Sequence, residues 1–481
     1  MAYRDFRDFM AVAEQRGKLR RIHQTVDRTW EPACLAKWVF QALPDDQRFG
    51  LWFETVAGSN FPLITGALGA SIDTYALALG VEPEEINDVW IQALLDPKVP
   101  RIVESAPCQE VVRLGDEARL GDLPIPIWTP GKDAGPYITT ITVNRRADTG
   151  EQNLAVYRTM VRDDHRVVVN LNPGRQGYRY SRTYLDQGKP APIAWVFATE
   201  PAIHLATVAN MPLGVDEITV AGGLKGEPIE LVRAKTVDLL VPANAEIIIE
   251  GEVLPDQVDD EGPFGEFAGY MGPVAKKPVA RITAITHRRN AIYYGYTSQM
   301  PPSESTVIQS MTNAPVLLKT LRYDHGETSV RDVFIDLTFG GLLAHCIVAM
   351  QPQASGHAKR IGRLIAAMTP LKRITVVDED IDIRDPLHVE WAMNAHFNPV
   401  RDTVIIDDVD VPMYMDPSVR VMGKATEMGS QLVIDATQTI DAGAISLPSR
   451  ELMMRALEVW QKEGLPDFEI PKRVHFRLDR S

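Results

Sequence analysis

Apolar positions recur at helical spacing near the start of the chain. Phe6, Phe9, Met10, Val12 and Ala13 fall on one helix face, and Ile86, Val89, Trp90 and Ala93 repeat the pattern between Glu84 and Leu95. The spacing predicts a mainly helical N-terminal part. Proline and glycine then crowd into GDLPIPIWTPGKDAGPY and mark a boundary. From about Tyr137 to Thr297 the pattern changes to short runs, among them ITTITVNRR, RVVVNLN, IAWVFAT, IHLATVA, AEIIIEGEV and VARITAITHR. Gly, Pro, Asn and Asp separate them, as in an all-β sandwich or barrel. Beyond Met300 a strand HCIVAM, a helix with AKRIGRLIAAM, a strand RITVVDED and a helix around HVEWAMNAH alternate in an α/β pattern. A last helix, Ser449 to Glu463, is the candidate contact with a neighbouring subunit. These shifts divide the chain into an α/β N-terminal segment (1–115), a central β domain (116–300) and an α/β C-terminal domain (301–481).

Charge and cysteine usage narrow the function. A formal net charge of -14 argues against nucleic acid or an anionic membrane surface as the main partner. A small organic anion in a local basic pocket stays compatible with it. Cys34, Cys108 and Cys346 are scattered and odd in number, which predicts a reducing compartment without a disulfide framework. The opening MAYRDFRDFMAVAEQRGKLRRI is charged throughout and lacks an apolar core, so a cytoplasmic protein without a membrane span is expected. His345, His357, His388 and His396 have no zinc-ligand spacing.

The segment EGPFGEF sets Glu261 and Glu266 on either side of a Gly-Pro-Phe-Gly turn. Two carboxylates held close repel, so one favours the protonated form while the other stays ionised, a division suited to proton donation. Acids flanking a turn are also ordinary solvated surface, but Phe264 and the two glycines suggest close backbone approach. NLAVYRTMV reads as a strand with Asn153 and Arg158. An arginine among apolar residues needs a carboxylate, whether an internal partner or a substrate. Residues five apart on a regular strand face opposite ways, so Asn153 and Arg158 share a cavity only across a bulge or a strand end. Asn153, Gln176 and Glu217 are oxygen donors suited to Mg²⁺ or Mn²⁺, although each reads equally as a polar group at a turn. Lys359, opening a helix after QPQASGH, suits a phosphate or plain solvent, and AGGLKG reads as a hairpin turn. VVDEDIDIRDP reads as a solvated connection.

Together, RDFMAVAEQRGKLRRI, NLAVYR, GVDEITVAG, VPANAEIIIEGEV, EGPFGEFAGY, SGHAKR and VVDEDIDI resemble the UbiD family of reversible decarboxylases over nearly the whole chain. The resemblance implies a mixed α/β multidomain fold around a central split β-barrel like that of flavin reductases. It implies prenylated FMN, supplied by a UbiX-like flavin prenyltransferase, with Mn²⁺ (or Mg²⁺) and K⁺ at the phosphate. Arg158, Glu261 and Glu266 become the catalytic residues. Asn153, Val156, Tyr157, Arg158, Arg175, Gln176, Met211, Glu217 and Lys359 become cofactor contacts, with Asn153, Gln176 and Glu217 on the metal. Relatives usually carry a His where Gln176 stands, so the metal shell departs from the family pattern.

In the implied chemistry Arg158 orients the substrate carboxylate beside Glu261, and Glu266 protonates the carbon that loses CO₂. The flavin supplies the electron sink that an sp² carbanion needs. Relatives act on aromatic or unsaturated acids and form dimers or hexamers. Pocket positions are expected around Gln299 to Ser305 and Lys424 to Leu432, where Ser303, Glu304, Thr426 and Glu427 point to a ring with a polar substituent or heteroatom. Two rivals remain: a flavin-independent metal lyase or hydrolase, and an accessory subunit of a larger carboxylase complex.

Overall fold

The computed structural model describes residues 3–211, 214–339, 344–410, 416–421, 424, 425, 428–438 and 445–479. Thr426 and Glu427 therefore lie outside the described residues. The chain forms two compact units, one chiefly of residues up to Val316 and one chiefly of those from Leu317 onward.

The first unit opens with helix α1 (Phe6–Gln15), started by the Asp5 carboxylate accepting the Asp8 N–H and burying Phe6, Phe9, Met10 and Ala13. Helices α2 (Glu31–Ala42), α3 (Ile72–Leu79) and α4 (Ile86–Leu95) follow. This part is less helical than its spacing predicts. Leu19–Ile22, Gly50–Phe53 and Leu63–Thr65 form a sheet, completed by the distant Tyr293–Tyr294. Strands of three or four residues are too short for alternation to register.

The centre is a nine-stranded antiparallel sheet. Its strands are β1 (Val111–Leu114), β2 (Tyr137–Ile138), β3 (Ile141–Arg145), β4 (Gln152–Val156), β5 (Thr159–Val161), β6 (Arg166–Val169), β7 (Ala191–Phe197), β8 (Ile247–Glu261) and β9 (Ala275–His287). The order is β2-β5-β6-β9-β8-β7-β3-β4, with β1 pairing β9. Strand β4 ends this path while β5 lies next to its other end, yet only Tyr157 and Arg158 separate them in sequence. The three steps from Val156 to Thr159 span at most about 11 Å, so the sheet must curl until its edges come close. That is the split barrel the resemblance implies. Ile193, Trp195, Phe197, Ile247 and Ile249 are among the residues that fill its core.

Three further helices belong to this unit: α5 (Gln176–Leu185), α6 (Pro201–Ala206) and α7 (Glu217–Lys225). The expected hairpin at AGGLKG is instead the end of α7, closed by left-handed Gly226. Packing overrides glycine's poor helix propensity here. A Cβ on Gly223 would stand 2.7 Å from the Ala93 carbonyl oxygen of α4, and one on Gly222 2.9 Å from Lys98.

In the second unit, β10 (Val330–Ile335), β11 (His345–Met350), β12 (Arg373–Asp378), β13 (Thr403–Asp410) and β14 (Met428–Ala436) form a mixed sheet ordered β10-β11-β12-β14-β13. Parallel β11, β12 and β14 carry the α/β pattern. Helices at His357–Met368 and Pro386–His396 fall where the spacing predicts them. The late helix Arg450–Lys462 has no buried residue.

Candidate active site

The break between β4 and β5 sets the site. Alternation resets at Tyr157–Arg158, which is how Arg158 turns inward although it lies five residues from Asn153. Its guanidinium grips Glu261, the last residue of β8, through Nε to Oε1 at 2.9 Å and Nη2 to Oε2 at 2.8 Å. The remaining arm, Nη1, donates to Glu266 Oε1. The Glu261 side chain is 0% exposed, Arg158 12% and Glu266 10%. Burial disfavours the Arg158 cation, but Glu266 and Glu261 outweigh it and hold the guanidinium above its ordinary range. The three residues form one charge-assisted network in which every guanidinium nitrogen donates to a carboxylate, two to Glu261 and one to Glu266.

The turn carrying Glu266 is held from several sides. Phe264–Gly265 pairs with Met271–Gly272, and the Phe264 ring lies under Arg158, 5.0 Å from the guanidinium carbon. Tyr137 packs on Phe264 at 4.3 Å, and its hydroxyl accepts the Gly262 N–H at 3.1 Å. Asp133 accepts the Gly265 N–H at 3.0 Å and the Thr129 N–H at 2.6 Å. Tyr137 and Asp133 were not found by sequence reasoning. Their one signal was position, in the Pro/Gly-rich stretch that otherwise reads as a boundary. Lys37 of α2 donates to the Ser298 carbonyl, and burial pushes its ammonium down to about 7.

Gly265 leaves no room for a side chain: a Cβ would stand 2.5 Å from Thr129 Oγ1 and 2.6 Å from Gln299 Cγ. Gly265→Ala is expected to cost about 1–3 kcal/mol of stability through overpacking. Because it displaces the neighbouring Glu266, it is also expected to lower turnover, as thermal unfolding and a CO₂-release assay would register.

The expected pocket positions divide. Glu304 is a structural residue and not a pocket wall. Its fully buried carboxylate accepts the N–H groups of Gly66 (2.9 Å), Leu68 (3.2 Å) and Thr297 (3.0 Å) and the Tyr294 hydroxyl (2.6 Å). Four donors leave it no capacity for a ligand. Ser303 is likewise buried, its N–H given to Thr306 Oγ1 at the start of the helix Glu304–Lys319. Gln299, by contrast, is 4% exposed with both amide atoms unpartnered, and its backbone is left-handed at φ 72°.

The candidate metal ligands are linked to one another through residues of β4 and Tyr157. Asn153 is buried on β4 near the Tyr157 hydroxyl, and its Nδ2 makes no hydrogen bond of ordinary geometry. That hydroxyl accepts the Gly177 N–H at 2.9 Å, which seats the first turn of α5 on the Tyr157 ring. Gln176 opens α5 and donates to the Tyr180 hydroxyl at 2.8 Å. Glu217 opens α7 and accepts the Leu154 N–H at 3.4 Å, and burial raises its carboxyl to about 7. Among the described residues no group of three His, Cys, Asp or Glu is placed for a metal. The donor set is one carboxylate and two amides. A buried carboxyl raised by desolvation is a feature a hard oxygen-seeking cation would relieve, and the amide oxygens of Asn153 and Gln176 are of the kind that can join it.

The other expected contacts are more scattered. Val156 is partly exposed at the end of β4, and Arg175 is the exposed residue preceding α5. Met211 follows α6, its N–H on the Ala209 carbonyl. Lys359 belongs to the second unit, where its Nζ donates to the Arg401 carbonyl at 2.5 Å.

Comparison with known proteins identifies the family. Three family models match in succession: the N-terminal domain of 3-octaprenyl-4-hydroxybenzoate carboxy-lyase over residues 10–94, its Rift-related domain over 101–301 and its C-terminal domain over 306–436. Among solved structures, the UbiD-class enzyme HmfF from Pelotomaculum thermopropionicum in complex with FMN is 33% identical. The alignment covers 94% of this chain and 99% of that one, with a TM-score of 0.83. An evolved dimeric form of HmfF in complex with prFMN is 32% identical over 94% and 98%, TM-score 0.82. Vanillic acid decarboxylase from Sedimentibacter hydroxybenzoicus, in closed form, is 26% identical over 96% and 100%, TM-score 0.84. The chain belongs to the UbiD family and is a carboxy-lyase.

Proposed function

We propose that this enzyme reversibly decarboxylates an aromatic, heteroaromatic or α,β-unsaturated acid with prenylated FMN. The observation that carries the reading is the buried Arg158–Glu261–Glu266 network. The HmfF complexes with FMN and prFMN support the cofactor. When bound, the prenylated flavin supplies the electron sink for the departing carboxylate's electron pair.

The roles of the side chains follow from their bonds. Glu261 occupies Nε and Nη2 of Arg158 and fixes the guanidinium plane, so Nη1 is the arm a substrate carboxylate can claim. A substrate that takes Nη1 deprives Glu266 of its cation and favours its protonated form. Binding thus loads the proton that Glu266 delivers to the carbon losing CO₂. The surrounding burial strips water from the substrate carboxylate and favours its release. Gln299, with a free donor and a free acceptor against Gly265, favours a ring bearing a polar substituent or heteroatom.

In this reading Asn153, Gln176 and Glu217 hold Mn²⁺ or Mg²⁺ at the cofactor phosphate, with K⁺ alongside. Val156, Tyr157, Arg175 and Met211 are further cofactor contacts in this reading. A UbiX-like prenyltransferase supplies the flavin. The apolar residues Leu452, Val459 and Trp460, exposed on the late helix, make it the candidate contact for a dimer or hexamer. Among the described residues no helix is long and apolar enough to cross a membrane.

Glu217→Ala tests the cation site. The variant is expected to lose flavin on desalting, read from the visible spectrum against protein concentration, whereas full flavin occupancy would refute the placement. The accessory-subunit reading has less support, because a scaffold has no use for a buried three-membered ion network.

A further inference from the structure

Strand pairing sets Asn144 of β3 directly opposite Asn153 of β4. Directly opposed residues of an antiparallel pair project from the same face with Cβ atoms about 5 Å apart. Asn144 is 1% exposed, and neither its Oδ1 nor its Nδ2 has a hydrogen-bond partner. Its neighbour across the other side of β3 is the apolar Ile193, which offers nothing polar. With Asn153 Nδ2, three unpaired amide atoms therefore lie on two facing residues. Leaving such atoms buried and unmade is costly, and a leucine at position 144 would avoid two of the three.

We infer that Asn144 is a positioning residue of the cation site, acting through Asn153. An asparagine amide presents an acceptor and a donor of nearly the same shape, and only the oxygen can ligate a cation. With Asn153 Oδ1 on the ion, its Nδ2 needs an acceptor to hold that orientation. The Tyr157 hydroxyl nearby is one acceptor, which it shares with the Gly177 N–H. The Oδ1 of Asn144, straight across the strand pair, is the buried acceptor that has no other partner. Partners of this kind fix a ligand's orientation and are as consequential as the ligands themselves. They matter more where two of the three donors are neutral amides, as with Asn153 and Gln176 here. The inference rests on the cation site proposed above.

The test measures the Mn²⁺ concentration that half-saturates flavin retention, using FMN fluorescence quenching, in wild type, Asn144→Leu and Asn144→Asp. Thermal unfolding of each metal-free protein is recorded alongside. Asn144→Leu is expected to need roughly 10–100-fold more Mn²⁺ while unfolding at or above the wild-type temperature, since it removes two unpaired buried atoms. Asn144→Asp keeps the acceptor and is expected to stay within about threefold of wild type. That opposition between stability and cation affinity is one a merely structural asparagine would not produce. Should Asn144→Leu not fold, Asn144→Ala, which has no side-chain acceptor, takes its place. Equal Mn²⁺ requirements in wild type and Asn144→Leu, or equal impairment of the Leu and Asp variants, would overturn the inference and leave the cation site standing. A wild type that retains flavin independently of Mn²⁺ would overturn both.

Discussion

Glu266→Gln is expected to lower CO₂ release by roughly two to four orders of magnitude, the usual contribution of a positioned general acid, in protein that still binds its flavin. The substitution keeps the shape of the side chain and an oxygen for Arg158 Nη1, so the network is preserved. What it removes is the transferable proton. Cofactor occupancy and thermal stability should stay near wild type while turnover collapses. Glu266→Asp keeps an acid on a shorter arm and is expected to fall between the two. Activity of Glu266→Gln near wild type, at equal flavin loading, would remove Glu266 from the chemistry and leave its ion pair as architecture.

Arg158 carries the second large effect, and it acts on stability as well as rate. Arg158→Met leaves Glu261 at 0% exposure without the cation that satisfies both its oxygens. Breaking one side of a buried pair costs about 3–5 kcal/mol, because the remaining charge is stranded. Chemical unfolding should show a destabilisation of this size together with complete loss of CO₂ release. Pairing the change with Glu261→Leu removes the stranded carboxylate and is expected to recover most of the stability and none of the activity. If Arg158→Met alone unfolds like wild type, the buried ion network does not exist in solution.

The sequence revealed the site more readily than the fold around it. EGPFGEF announces its own geometry, since the glycines imply the close approaches found at Gly262 and Gly265 and the two acids end up on one guanidinium. The parity objection to Asn153 and Arg158 was physically sound for a continuous strand. It dissolved because NLAVYRTMV is two strands joined by Tyr157 and Arg158, a break that no local residue signals. The helix over AGGLKG was hidden for a related reason. Gly223 lets α7 approach α4 and Gly222 lets it approach Lys98 beyond that helix, a tertiary cause that local propensity reads backwards. Glu304 looked like pocket polarity because its four donors come from Gly66, Leu68, Tyr294 and Thr297, two of them far away in sequence. Asn144 was invisible for the same reason, since only strand register places it opposite Asn153.

On the proposed reading this chain exchanges CO₂ for a proton on an unsaturated carbon, with Glu266 as the donor. Protein reconstituted with prenylated FMN and Mn²⁺ should be incubated in D₂O with a panel of aromatic, heteroaromatic and unsaturated acids. Products are then read by NMR for deuterium at the carbon that bore the carboxylate. CO₂ release with deuterium at that carbon is expected for at least one acid in wild type, and neither in Glu266→Gln. Fully loaded wild-type protein that leaves every acid intact, or a Glu266→Gln variant that deuterates its product as fast as wild type, would contradict it.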